Sequence, residues 1–371
     1  MAYGTVNADV IQTSTSGGII GAGNASIMKN RIINGAMVID QRNAGASITP
    51  TNGQYSVDRW QCNVTQPSKY TAQQNAGSVT PPVGFSNYLG ITSSSAYTLT
   101  ATDAFYFQQV VEGFNIADLG WGTASAKTVT LSFQVYSSLT GTFGGALKNS
   151  AWNRSYPFTY TISSANTWTS ISVTIAGDTS GTWLTTNGTG ISIIFGLGVG
   201  STYSGTAGSW SGNLYASATG ATSVVGTNGA TFYITGVQLE VGSSATGFEY
   251  VNYQTSLANC QRYTQRFGGD ASYSAIGFGF GDSNNGWVDA QVTPPTVMRT
   301  VPSVTSSGSF RVVPPDNTSG LAVTGISINS STANSKLFYI ICTASSITGF
   351  RGYVLRADNS TSAYILFSAE L

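Results

Sequence analysis

The sequence predicts an all-β protein, and three observations carry that expectation. Apolar and polar residues alternate strictly in several runs, the period of a half-buried strand. Gly- and Asn-containing turn signals separate those runs. Finally, no helical repeat alternates with them, which argues for antiparallel sheets rather than a parallel α/β arrangement. The clearest run is Thr128-Val129-Thr130-Leu131-Ser132-Phe133-Gln134-Val135-Tyr136. Similar alternation recurs at Ser170–Ile175, Gly190–Ile193 and Thr231–Leu239, with Gly177-Asp178, Asn187-Gly188 and Asn228-Gly229 between them.

Taken in chain order, residues 1–30 are rich in Gly, Ser, Thr and Asn, with apolar pairs only at Val10-Ile11 and Ile19-Ile20. A segment this polar buries too little surface to fold alone, so it reads as an arm that is either disordered or ordered against a partner chain. Residues 31–250 read as one jelly-roll-like β-sandwich. A short helical connector is expected over 251–268. There Tyr253, Leu257, Cys260, Thr264 and Phe267 step by 4, 3, 4, 3, the a/d spacing of a coiled-coil seam. About two heptads form only a marginal helix in water, so this one needs a partner: its own sandwich, or identical helices around a symmetry axis. After Gly268-Gly269 a C-terminal β-sandwich tip domain is expected over 269–371. It opens with a hairpin in which Ser283-Asn284-Asn285-Gly286 joins Tyr273–Phe280 to Trp287–Val292.

Composition excludes several chemistries. Only 8% of the 371 residues are charged, and fifteen basic residues balance fifteen acidic ones. Roughly 25% would be usual. With no histidine, a Ser-His-Asp or Cys-His unit and an imidazole metal site are out of reach. The balanced charge leaves no electrostatic footprint for nucleic acid. Cys62, Cys260 and Cys342 form no CxxC pair and read as small buried thiols. No basic segment precedes an apolar core at the start and no run of about 18 apolar residues occurs, so neither export nor membrane insertion is expected. The stretch Gly196-Leu197-Gly198-Val199-Gly200 lacks the Lys-Ser/Thr and the helix of a phosphate loop and reads as a bulge or turn. Asp282-Ser283-Asn284-Asn285 lacks EF-hand spacing, so no metal is expected, and no cofactor.

Carboxylate pairs near in sequence are few: Glu112 with Asp118, and Asp282 with Asp289. They read as turn acceptors, and no catalytic residue is assigned. Arg42 and Arg59 read as members of structural ion pairs, with Asp40 and Asp58 beside them. The chain is better supplied with aromatic side chains set among Ser, Thr, Asn and Gly: Trp152, Tyr156, Trp168, Trp183, Tyr203, Trp210 and Tyr215, then Tyr273, Trp287, Tyr353 and Tyr364. Rings and neutral amides match the C–H faces and hydroxyl rims of sugars without desolvating charge. The same residues serve as core on alternating strands, and composition does not choose between the two roles. Hairpin tips carry function more often than framework strands, which selects Asn284, Asn285, Trp287 and Tyr273 as glycan-contact candidates.

Two segments carry a family resemblance. The first runs from Asn30-Arg31-Ile32-Ile33-Asn34-Gly35 through Gln41-Arg42 to Asp58-Arg59-Trp60. The second joins Val237-Gln238-Leu239-Glu240-Val241-Gly242, Ala245-Thr246-Gly247-Phe248-Glu249 and Cys260-Gln261-Arg262-Tyr263. In this order they resemble the opening and closing blocks of bacteriophage tail-fibre and related virion-appendage proteins, and they bracket residues 31–263. The resemblance implies a homotrimeric appendage with a carbohydrate-binding-module-like jelly roll. Its arm would be held by another virion protein and its distal domains would meet host-surface glycan. Adhesion is the expected role, a purely structural head fibre or tail adaptor the alternative, and a polysaccharide depolymerase the least favoured reading.

Overall fold

The computed structural model describes residues 28–283, 286–316 and 320–371, together with the paired two-residue strands Ile11–Gln12 and Ile19–Ile20. The attachment-arm reading of residues 1–30 therefore falls largely outside the described residues. The described residues are all-β apart from one short α-helix and a few 3-10 turns.

Two five-stranded antiparallel sheets face each other in the first part. One runs Thr169–Ile175, Val129–Ser137, Thr231–Val241, Leu89–Ser93, Tyr70–Gln74, and the other Trp60–Val64, Ala104–Glu112, Thr189–Val199, Gly141–Lys148, Ser155–Ile162. Alternation decides which side chains go between them. Phe133 and Val135 from one sheet meet Trp60, Phe107, Phe195, Phe143 and Phe158 from the other, all buried in one continuous core. Phe107 stacks on Phe195 at 5.2 Å, and Phe133 meets Phe195 edge-on at 5.1 Å. Two long strands carry register shifts, between Gly196 and Gly198 and between Thr235 and Gln238. The first is the bulge expected of the glycine-rich stretch, and the second interrupts a run whose alternation reads as continuous in the sequence. At the second, Gly236 has φ +62°, and a β-carbon there would lie 2.6 Å from the Phe85 ring.

The connector departs from expectation. Its helix spans Tyr253–Gln261 and is capped by the Asn252 side chain, which accepts from the Thr255 amide at 2.9 Å. Thr264 and Phe267 are not helical. They belong to the strand Thr264–Gly268, which pairs with Tyr364–Ser368. Of the five seam residues, Cys260 and Thr264 are buried within the single chain, Phe267 packs edge-on to Phe367 at 5.5 Å, and Tyr253 is exposed. The a/d spacing thus straddles a helix and a strand and forms no continuous stripe. The reason is that Tyr263, Thr264 and Phe267 suit an extended chain and find a sheet edge to join. The tip region is also not a sandwich. The strands Ala275–Gly281, Trp287–Val292, Phe338–Ala344, Leu321–Ile328, Phe310–Val313 and Gly352–Ala357 close into a six-stranded barrel. Closure leaves the barrel itself no open edge and encloses a second core around Phe338, Ile340, Tyr353 and Leu355, while Thr264–Gly268, Tyr364–Ser368 and Ser303–Ser307 form a separate three-stranded sheet.

A buried ionic junction joins the two cores. Glu370, near the C-terminus, takes Arg42 and Arg59 together, and the Arg59 guanidinium lies 3.5 Å from the centre of the Tyr263 ring. Glu112, at the end of its strand, accepts from Arg262 Nε at 2.8 Å and from the Tyr263 hydroxyl at 2.5 Å. Gln41 donates to Asp58 and to the Thr264 carbonyl. The partner of Arg42 and Arg59 is thus Glu370 and not their sequence neighbours. Asp40 instead accepts the Asn43 and Gly45 amides of its own turn. Burial lifts the Asp58 carboxyl to about 6 against the pull of Arg42. Glu370→Ala would strand two arginines, one of them only 1% exposed. It is expected to cost about 3–5 kcal/mol in denaturant unfolding. Asp118→Ala, at the half-exposed partner of Arg31, is expected to cost about 0–1 kcal/mol in the same measurement.

Candidate functional site

The outer face of the second sheet holds an unusual set of side chains. On Ala104–Glu112 the inward residues are Phe105, Phe107 and Val111, so Tyr106, Gln108 and Val110 point outward. Cross-strand pairing then places Gln61 opposite Gln108 and Asn63 opposite Tyr106. Gln108 pairs with Ile194, and Ser192 lies between Val110 and Lys148. The far half of this face is built from small residues, Gly144, Ala146, Ser155 and Gly196. The short pair Ser204–Gly205 and Ser217–Ala218 closes over it. A β-carbon on Gly144 or Gly196 would lie 2.5 or 2.9 Å from the Ser217 hydroxyl. The near half, called the trough below, is the strip where half-buried Gln61, Asn63 and Tyr106 border the buried Gln108, Val110, Ser192, Ile194 and Lys148.

Lys148 is the electrostatic centre of this trough. Its residue is 2% exposed, and no carboxylate pairs with it among the described residues. Burial alone pulls its ammonium down to about 8. Aromatic faces stand in for a counter-ion: Nζ lies 4.3 Å from the Trp152 ring centre and 5.8 Å from that of Tyr106. Such contacts offset part of a desolvation cost. Burial, and then Tyr203 nearby, push the Tyr106 hydroxyl up to about 12. Two amide atoms are orphaned here. Gln108 donates Nε2 to Gln61 at 2.7 Å, yet its buried Oε1 has no partner, and neither has the buried Nδ2 of Asn63. Buried polar atoms are nearly always satisfied, so a pair of orphans on one face calls for an explanation.

Trp152 is presented by a built turn. It is 56% exposed and holds φ +56°, a backbone region that bulky side chains rarely adopt. Fully buried Asn149 makes the turn possible: its Oδ1 accepts the Asn153 and Arg154 amides, and its Nδ2 donates to the Thr182 carbonyl at 3.1 Å. Arg154 grips Asp178 through two 2.7 Å bonds and anchors the turn from behind. Strain of this kind persists where the surroundings over-determine it.

The residues chosen from sequence are scattered. Asn284 and Asn285 lie outside the described residues. Trp287 begins a barrel strand opposite Thr343 and is half-buried. Tyr273 is exposed at φ +60°, with the Arg356 guanidinium 4.9 Å from its ring. Among the other aromatics, Tyr156, Trp183 and Trp210 pack with Trp121 at one end of the sandwich, and Trp168 joins Tyr88 and Tyr136 on the outer side of the first sheet. Lys148, Gln61, Asn63 and Gln108 were not singled out by sequence. The available signal was a lone lysine ending a strand in a chain almost without charge. Among the described residues no group of three or more His, Cys, Asp or Glu gathers as a metal cage.

No family model matches the chain, and no curated protein does. Solved structures with partial likeness include the enzymatically active domain of tailspike protein 4 of bacteriophage CBA120, at 13% identity and a TM-score of 0.32. That match covers 58% of this chain and 22% of the other. A CBM4 protein aligns at 17% identity and a TM-score of 0.28, over 56% of this chain and 98% of the other. The family 11 carbohydrate-binding module of Clostridium thermocellum, in complex with a β-1,3-1,4-mixed-linked tetrasaccharide, aligns at 11% and 0.28, over 53% and 96%. Values this low carry no inference about ligand or assembly.

Lys148→Met is expected to raise stability at pH 7, because it removes a buried uncompensated charge and keeps the apolar stem. The sign of the pH dependence follows from the depressed folded value. Below about 8 the folded state bears the full cost of the buried ammonium. Between there and the ordinary 10.5 the folded group is neutral while the unfolded chain still holds its proton, so wild-type stability gains with rising pH. The gap between variant and wild type, followed by denaturant unfolding, is therefore expected to close as pH rises through that window.

Proposed function

We propose that this protein is a phage virion appendage, a homotrimeric tail fibre that binds host-surface glycan during adsorption, with the trough on the outer face of the second sheet as a sugar site. The observation that carries the reading is the trough itself. An exposed tryptophan on a strained, braced turn lies against the Lys148 ammonium, and the same sheet face carries two buried amide atoms without a hydrogen-bond partner. A ring to stack on and amides to meet hydroxyls are what a sugar requires. The side chains named there are amides, hydroxyls, rings and an amine, none of them a carboxylate, so the proposal is adhesion without bond cleavage.

The virion assignment is supported by the two motif blocks. Gln41, Arg42, Asp58, Arg59, Arg262 and Tyr263 all belong to them, and all take part in the junction that unites the two cores. On this reading the polar arm attaches to another virion protein. Three copies of a weak site then gain avidity of about 10²–10⁴ when geometry allows simultaneous contact.

The test uses the full-length protein against a panel of bacterial cells and their extracted surface polysaccharides, with mass measured by sedimentation. A trimer that binds at least one polysaccharide saturably is expected, with Trp152→Ala weakening binding about tenfold or more. A monomer that binds no cell and no polysaccharide would leave a structural adaptor as the better description.

A further inference from the structure

Charge is the feature of the trough that a neutral sugar leaves unexplained. Elsewhere the described buried ions have either a counter-ion, as Arg59 with Glu370, Glu112 with Arg262 and Arg154 with Asp178, or hydrogen bonds from neutral donors, as Asp58, Asp103 and Glu240. Lys148 is as deeply buried as these and receives only the faces of two rings. Neither a methionine nor a leucine, which would fill the same space without desolvating a charge, stands in its place. The groups around it are neutral: Ser192 and Ser155 on the two flanking strands, Tyr106 one strand beyond Ser192, Trp152 on the turn, Tyr203 behind Tyr106, with Arg154 of the same turn already engaged by Asp178.

Resting on the glycan reading above, we infer that the trough selects an anionic sugar, its carboxylate or phosphate pairing with the Lys148 ammonium while its hydroxyls meet Gln108 Oε1 and Asn63 Nδ2. The donor set fits such a ligand. An ammonium supplies charge-assisted donors to an anion. The orphaned carbonyl of Gln108 accepts from a hydroxyl, and the orphaned Asn63 amide donates to one. Trp152 lies against the same ammonium and, being exposed, also offers a stacking face. An anion entering here completes an ion pair whose cationic half has already been desolvated by folding, so selectivity over the neutral analogue comes from the site as it stands.

The experiment is calorimetric titration of the full-length protein with matched probes. Oligogalacturonate, hyaluronate and alginate oligosaccharides are each compared with the same compound after reduction of its carboxyls to alcohols, and a polyol-phosphate glycan with its dephosphorylated form. At least one charged member is expected to bind tenfold or more tighter than its neutral counterpart, and the arm in which this occurs names the anion. Lys148→Met, whose folding is checked by its melting temperature, is expected to remove that difference. Raising the pH from 7 to 9.5 is expected to weaken wild-type binding of the charged member, since the ammonium is lost near 8. Equal binding of charged and neutral members, with Trp152→Ala still harmful, would overturn the anion selection and leave the glycan site standing. Charged-ligand preference that survives in Lys148→Met would also overturn it. Binding of no probe at all would count against the site and the selection together.

Discussion

Burying an ionised group in protein is costly unless a partner of opposite charge is buried with it, and this constraint organises the whole molecule. Among the described residues every buried charge but one is matched, by a counter-ion or, for Asp58, Asp103 and Glu240, by neutral hydrogen-bond donors. Glu370 sits between Arg42 and Arg59, Glu112 holds Arg262, and Asp178 holds Arg154. These matches lie where packing alone would not specify geometry: two at the junction of sandwich and barrel, one behind the turn that presents Trp152. A hydrophobic contact tolerates sliding, whereas an arginine fork on a carboxylate fixes direction as well as distance. Lys148 is the exception, and the trough around it is the reading of that exception.

A single strand links these features. Its two-residue period puts Tyr106, Gln108, Val110 and Glu112 on one face of Ala104–Glu112. The first two enter the trough and the last closes the junction. The opposite face, Phe105, Phe107 and Val111, seals the sandwich core. The proposed sugar site is therefore built on framework strands braced on their inner side by stacked aromatic rings. A site of this kind is preorganised: little side-chain freedom remains to be lost when a ligand arrives.

Small residues have a definite share in the arrangement. Gly144 and Gly196 let the segment at Ser217 lie directly on the sheet, closing half of the outer face. The trough lies beside that covered half. Its floor mixes Lys148, Gln108 and Ser192 with the apolar Val110 and Ile194.

Much of this was written in the local order of residues. Alternation at Val129–Ser137, Thr169–Ile175 and Thr231–Val241, and turn chemistry before Trp287, depend only on neighbours in the chain, so sandwich strands and the tip hairpin were legible directly. Tertiary structure alone decided the rest. The helix stops at Gln261 because the residues beyond it find a strand at the C-terminus to pair with. Six strands close into a barrel because their edges meet. Arg42 and Arg59 choose Glu370 over the aspartates beside them because the chain brings its last residues back to its first motif. The trough gathers Gln61, Asn63, Gln108, Lys148 and Trp152 through cross-strand register and one braced turn. Periodicity assigns each residue to a face, but only the folded sheet order makes those faces neighbours.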